Sequence, residues 1–190
     1  MNTTIALISA LLGFAMALAV LWRDHRLTAH LAFGAGIALL AGEAVFTALS
    51  FDSPRIYVWQ HARLVCSAFL PGVWLIFSLA YGRGNHREFL QRWRLTIITL
   101  LVAGPGLAII GFPFEPKLLQ SKSGHWLIPL SPAGYYLNLF FLVSLVLILM
   151  NLERTFRAAV GIMRWRIKFM VLGLGVLLVV RAYTSTQMML

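Results

Sequence analysis

The chain has 190 residues, 60% hydrophobic and 12% charged, with a formal net charge of +10 and a mean hydropathy of +0.83. The apolar residues come in long blocks rather than in the stripes of a water-soluble core, which excludes an ordinary soluble domain and points to an integral membrane protein. The cations lie between these blocks and not along one polar face, which excludes nucleic acid as their partner.

A bilayer core of about 30 Å needs about 20 apolar residues in a helix. Six blocks qualify as spans: 3–22, 31–50, 57–82, 95–112, 132–150 and 169–187. The expected fold is therefore an all-α bundle of six transmembrane helices forming one membrane-embedded module over residues 1–190. The first block follows "MNTT", which has no positive charge, and precedes Arg23 and Arg26. That is the reverse of a cleavable signal peptide, so the block should stay as a helix with its N-terminus outside. The second block carries one acid, Glu43. The third contains Gln60, His61, Arg63 and Ser67. It also holds the single cysteine, Cys66, which rules out an internal disulfide and is expected to serve packing. Pro71 with Gly72, and "GPG" at 104–106 in the fourth block, predict kinks.

Between the third and fourth blocks, "GNHREF" at 84–89 lacks the HExxH spacing that places two imidazoles on one helical face, so His86 reads as a solvated loop residue. Between the fourth and fifth, "KSG" separates two short apolar runs and predicts a small extracytoplasmic hairpin at 117–130. Ser9, Ser67, Ser78 and Ser144 read as hydrogen-bonding groups between helices, and Gly34, Gly36, Gly173 and Gly175 as sites of close helix contact or flexibility. No nucleophile elbow, phosphate-binding loop or dinucleotide motif is present. The five histidines are scattered over both membrane faces. No catalytic residue, metal or cofactor is expected.

After the fifth block comes "NLERTFRAAVGIMRWRIKF", residues 151–169. At 100° per residue, Arg154, Arg157, Arg164 and Lys168 share one side, opposite Leu152, Phe156, Ala159, Val160, Met163 and Ile167. With Arg166 this segment reads as an anchor for anionic lipid and as a coupling element, with Gly161 as the place to turn. Eleven cations lie in the first, third and fifth connections, against Arg55, Arg63, Lys117 and Lys122 on the other side and Arg181 inside the sixth block. The positive-inside rule makes those odd connections cytoplasmic. Trp22, Trp59, Trp93, Trp126 and Trp165 fall near the expected interfaces. Six crossings from an outside start leave "RAYTSTQMML" outside, so a seventh helix is expected to follow.

Glu43, Arg63 and Arg181 are ionisable residues inside spans, where their cost makes them informative. Counting about 1.5 Å per residue from the span ends puts all three at one level in the outer third of the bilayer. They form a candidate cluster bordered by His61 and Gln60. Two readings are open: an ion pair fixing helix registry, or a net positive pocket for an anionic ligand or headgroup, with His61 conferring pH response.

"PGVWLIFSLAYGRGN" at 71–85, the 151–169 segment and "RAYTSTQ" together resemble the N-terminal membrane region of the PEP-CTERM system histidine kinases of the PrsK family, and more widely sensor kinases with a seven-helix membrane module. The resemblance implies an inner-membrane sensor followed by cytoplasmic GAF, dimerisation and phosphoacceptor, and ATP-binding domains, with homodimerisation and a response regulator as partner. Neither a phosphoacceptor motif nor an ATP-binding domain lies in this sequence, so no catalytic residue is carried over. A small transporter or lipid-handling protein using the outer charge cluster, and a purely structural membrane subunit, are the competing readings.

Overall fold

In the computed structural model of the chain, the described residues are 2–23, 27–51, 55–81, 86–110, 119–120, 126–127, 131–158 and 161–189. The expected sites at Arg26, Arg83, His25, His125, Lys117, Lys122, Ala159 and Val160 lie outside them, as do the side chains of Met163, Arg164 and Arg166. Among the described residues seven helices form: α1 (Asn2–Arg23), α2 (Thr28–Phe51), α3 (Ile56–Ala80), α4 (His86–Arg92), α5 (Arg94–Ile110), α6 (Pro132–Ala158) and α7 (Ile162–Met189). Five of these, α1, α2, α3, α6 and α7, are long and apolar enough to cross a bilayer. With 17 residues, α5 reaches about 26 Å, the lower end of spanning lengths. Apart from one short hairpin, the protein is thus a helical, multi-pass membrane protein. Between α5 and α6, β1 (Leu119–Gln120) pairs antiparallel with β2 (Trp126–Leu127), inside the stretch where a hairpin is expected.

The central element is α3, which packs against α2, α4, α5 and α6. Its buried face runs Leu64, Ser67, Leu70, Trp74 and Ser78, with Leu75, Phe77 and Leu79 also enclosed. One apolar cluster joins Trp74, Leu75, Phe77 and Leu79 to Leu145, Ile148 and Leu152 of α6 and to Leu174 and Leu178 of α7. In contrast, α1 packs on α2 alone among the described elements and exposes Leu11, Leu12 and Leu18. Because lipid is as apolar as these side chains, close packing and hydrogen bonds, rather than removal from water, must hold such a bundle together.

The two sites where kinks are expected lie at the contact between α3 and α5. Pro71 and Pro105 each lie within a continuous helix. Their neighbouring glycines bring α3 and α5 together: a Cβ on Gly72 would lie 2.5 Å from Leu101, and one on Gly104 would lie 2.7 Å from the carbonyl oxygen of Ala68. Gly34 and Gly36 are contact glycines as expected, against Leu21 and Trp74, whereas a Cβ added at Gly173 or Gly175 would meet nothing within 4 Å.

The 151–169 segment is not one amphipathic helix. Residues 151–158 extend α6, Gly161 takes φ +63°, and α7 begins at Ile162. Gly161 is thus the turn, as expected, and a left-handed residue there breaks the 100° progression, so the face counted through Arg154 and Arg157 does not continue to Lys168. Each end remains two-sided: Leu152, Thr155 and Ile167 are buried, while Arg154, Arg157 and Lys168 are exposed. Arg157 pairs with Glu153 at 2.6 Å one turn earlier, and the Lys168 ammonium stands 5.3 Å from the Trp165 ring.

The sequence reading also missed α4. Its signal was present: Glu88 in the first turn and Arg92 in the last complement the helix dipole. Seven residues, however, are too few for a periodicity to stand out.

Candidate functional site

The candidate site lies where α1, α2, α3, α6 and α7 surround a cavity of about 600 Å³. Glu43 reaches it from α2, Arg63 and Ser67 from α3, Asn138 from α6, and Arg181 and Ser185 from α7. Each is placed there by helix spacing. Ser67 follows Arg63 by one turn on α3, and Ser185 follows Arg181 by one turn on α7.

Glu43 and Arg181 form an ion pair through Oε2 and Nη2. The Ser67 hydroxyl donates to Glu43 Oε1, and Arg181 Nη1 donates to Ser67 Oγ at 3.0 Å. The result is a closed triangle of charge-assisted contacts linking α2, α3 and α7, with both carboxylate oxygens engaged. The Glu43 side chain is 12% exposed and that of Arg181 28%, and both line the cavity. Thr47 ties back to the Glu43 carbonyl oxygen at 2.7 Å, and Thr184 to that of Arg181 at 2.9 Å.

Arg63 lines the same cavity, but among the described residues it makes no hydrogen bond or ion pair to Glu43. Two cations and one anion therefore share the space. His61 is not among the lining residues, because it lies two positions from Arg63 and so about 200° around α3. Gln60 also turns elsewhere, donating to Ser50 Oγ at 2.9 Å, while Phe46 stacks with Trp59 beside it. Sequence reasoning placed Ser67 only as a general interhelical hydrogen-bonder. Its position one turn from Arg63 was the available sign that it shares the cavity.

A second polar contact crosses the bundle core. Asn151 Nδ2 donates to Ser78 Oγ at 2.8 Å, joining α6 to α3. Ser144 instead bonds within its own helix, to the Phe140 carbonyl oxygen at 2.6 Å.

What distinguishes α7 is how it is held. Its backbone packs along α6 and, among the described elements, along no other helix. It reaches α2 and α3 through side chains: the Arg181 triangle at the cavity, and Leu174 and Leu178 in the apolar cluster. Among the described residues, no group of three His, Cys, Asp or Glu side chains gathers to hold a metal ion. Comparison with known proteins finds no matching family, no matching curated protein and no matching solved structure.

Proposed function

We propose that the chain is the membrane input module of a bacterial two-component histidine kinase, seated in the inner membrane with its N-terminus extracytoplasmic. The observation that carries this reading is the attachment of α7. One polar triangle, Arg181 with Glu43 and Ser67, ties it across a cavity to α2 and α3, while Gly161 breaks the chain between α6 and α7. An anionic group entering the cavity would compete with Glu43 for Arg181, and the outer half of α7 would then be free to shift against α6. Such an element has two packings that a signal can bias. The resemblance to PrsK-type sensors supplies the expected output, a cytoplasmic kinase dimer that phosphorylates a response regulator.

The reading frame containing this sequence tests the assignment first: a kinase encoded in frame beyond Leu190 is expected, and its absence overturns the sensor reading. In the longer protein, reconstituted in liposomes, Glu43→Gln or Arg181→Gln should change autophosphorylation several-fold per folded molecule. Unchanged phosphorylation with lowered stability would make the triangle purely structural.

A second reading, a small transporter or lipid-handling protein, is favoured by the cavity itself, which places Arg63 beside space for a ligand. Accumulation of an anionic solute or lipid transfer by liposomes containing the chain alone would favour it over the sensor.

A further inference from the structure

At the opposite end of the bundle, where the arginine-rich connections lie, a separate cavity of about 340 Å³ is lined by Phe89, Arg92, Trp93, Thr96 and Arg154. Two helices far apart in sequence, α4 and α6, each bring a guanidinium to it, although their backbones do not pack together. The wall is firm, because Trp93 packs against the apolar cluster that also takes Leu90. The carboxylate nearest Arg154 in sequence, Glu153, is engaged by Arg157. Among the described residues, neither Arg92 nor Arg154 has a hydrogen bond or ion pair.

Two like charges facing one small space repel each other unless an anion lies between them. A phosphate oxygen pair suits two planar guanidinium forks, since each can donate two parallel hydrogen bonds. An indole at this level marks the boundary between headgroups and acyl chains, and Phe89 gives the cavity an apolar side. Thr96 adds a hydroxyl donor. The geometry points to a binding site for the phosphodiester headgroup of an anionic phospholipid, with its acyl chains running outward along the bundle. Basic pockets between transmembrane helices are suited to such headgroups. The bound lipid bridges α4 and α6 three residues or so C-terminal to the core Asn151, close to the Gly161 break, and so braces the end of α6 from which α7 departs. This site is independent of the outer cavity and of its function.

The test is native mass spectrometry of the whole chain released from detergent, with phosphatidylglycerol, phosphatidylcholine or inorganic phosphate added. Phosphatidylglycerol should be retained and phosphatidylcholine not. Arg92→Ala with Arg154→Ala should weaken retention about ten-fold or more, since charged hydrogen bonds are lost on both sides. The lysine pair, Arg92→Lys with Arg154→Lys, should fall between, because it keeps charge and loses the fork. Lys168→Ala, outside the cavity and away from Glu153, is the control and should bind as the parent does. Equal loss in Lys168→Ala would reduce the effect to general surface charge and overturn the proposal. So would undiminished binding by the double alanine variant with helicity intact. Displacement of the lipid by inorganic phosphate would make this a free-phosphate site and also overturn it.

Discussion

The Arg181 guanidinium of α7 is paired with the Glu43 carboxylate of α2, although the two helices share no backbone packing. Ser67 of α3 completes the contact by donating to Glu43 and accepting from Arg181. Helix α7 is thus placed at this end by side-chain chemistry, and the space that close packing would have filled is a cavity.

Removing one partner leaves the other charge uncompensated away from water. Glu43→Ala or Arg181→Ala should each destabilise the bundle by about 3 kcal/mol, and Ser67→Ala by about 1 kcal/mol. The double variant Glu43→Ala with Arg181→Ala should cost less than the sum of its parts by about 1–3 kcal/mol. Denaturation in mixed micelles checks this, and additive losses would show that the pair is not coupled.

Gly104 and Gly106 make a matched pair on α5. A methyl group at Gly104 would meet the Ala68 carbonyl at 2.7 Å, whereas Gly106 has nothing within 4 Å. Gly104→Ala should therefore destabilise by about 1–3 kcal/mol as α3 and α5 are forced apart. Gly106→Ala should be neutral or stabilising by up to about 1 kcal/mol, because alanine favours the helix. Equal effects at both sites in thermal unfolding would refute the close approach.

At Gly161 the argument is conformational, since nothing crowds its Cβ position but φ is +63°. Gly161→Ala should cost about 1–2 kcal/mol, and Gly161→Asn less, because asparagine tolerates the left-handed region. In spin-labelled protein, Gly161→Ala should also change the distance between the end of α6 and the start of α7. An unchanged distance with unchanged stability would mean that this break does not set the turn.

The orientation rests on the distribution of arginine and lysine, so a topology reporter is the direct check. A reporter fused after Gln91 should register the cytoplasm, and one fused in the 113–131 connection should register the opposite side. Reversal of both signals would invert the assignment and place the Glu43 cavity in the inner half of the membrane.

Much of the architecture was legible because the bilayer imposes it. A span must satisfy its own backbone hydrogen bonds and be long enough to cross, so apolar block length nearly determines helix number. Helix ends moved by a few residues at α2 and α3, and by seven or more where the 151–169 segment was divided between α6 and α7. The turn at Gly161 was legible in the sequence, and its φ of +63° bears it out; how far each helix runs toward it was not, because an amphipathic pattern does not mark where a span ends. The pairing of Glu43 with Arg181 was foreseeable from depth, as both count to the same level. Depth, however, says nothing about azimuth. Thus His61, at a similar depth, is not among the residues lining the cavity, and Ser67 enters the triangle.

By itself, then, the sequence determined that this protein is a multi-pass helical membrane protein, where its long apolar helices lie, and that Glu43, Arg63 and Arg181 are ionisable residues within them. The physical reason is that lipid penalises unsatisfied backbone and unpaired charge wherever they occur along the chain. Only the tertiary structure decided which helices touch, because in lipid that depends on the fit of small residues such as Gly72 and Gly104 and on the rotation of each helix about its axis. The same fit leaves α7 apart from α2 and α3, opens the cavity beside Arg63, and brings Arg92 of α4 and Arg154 of α6 to one site.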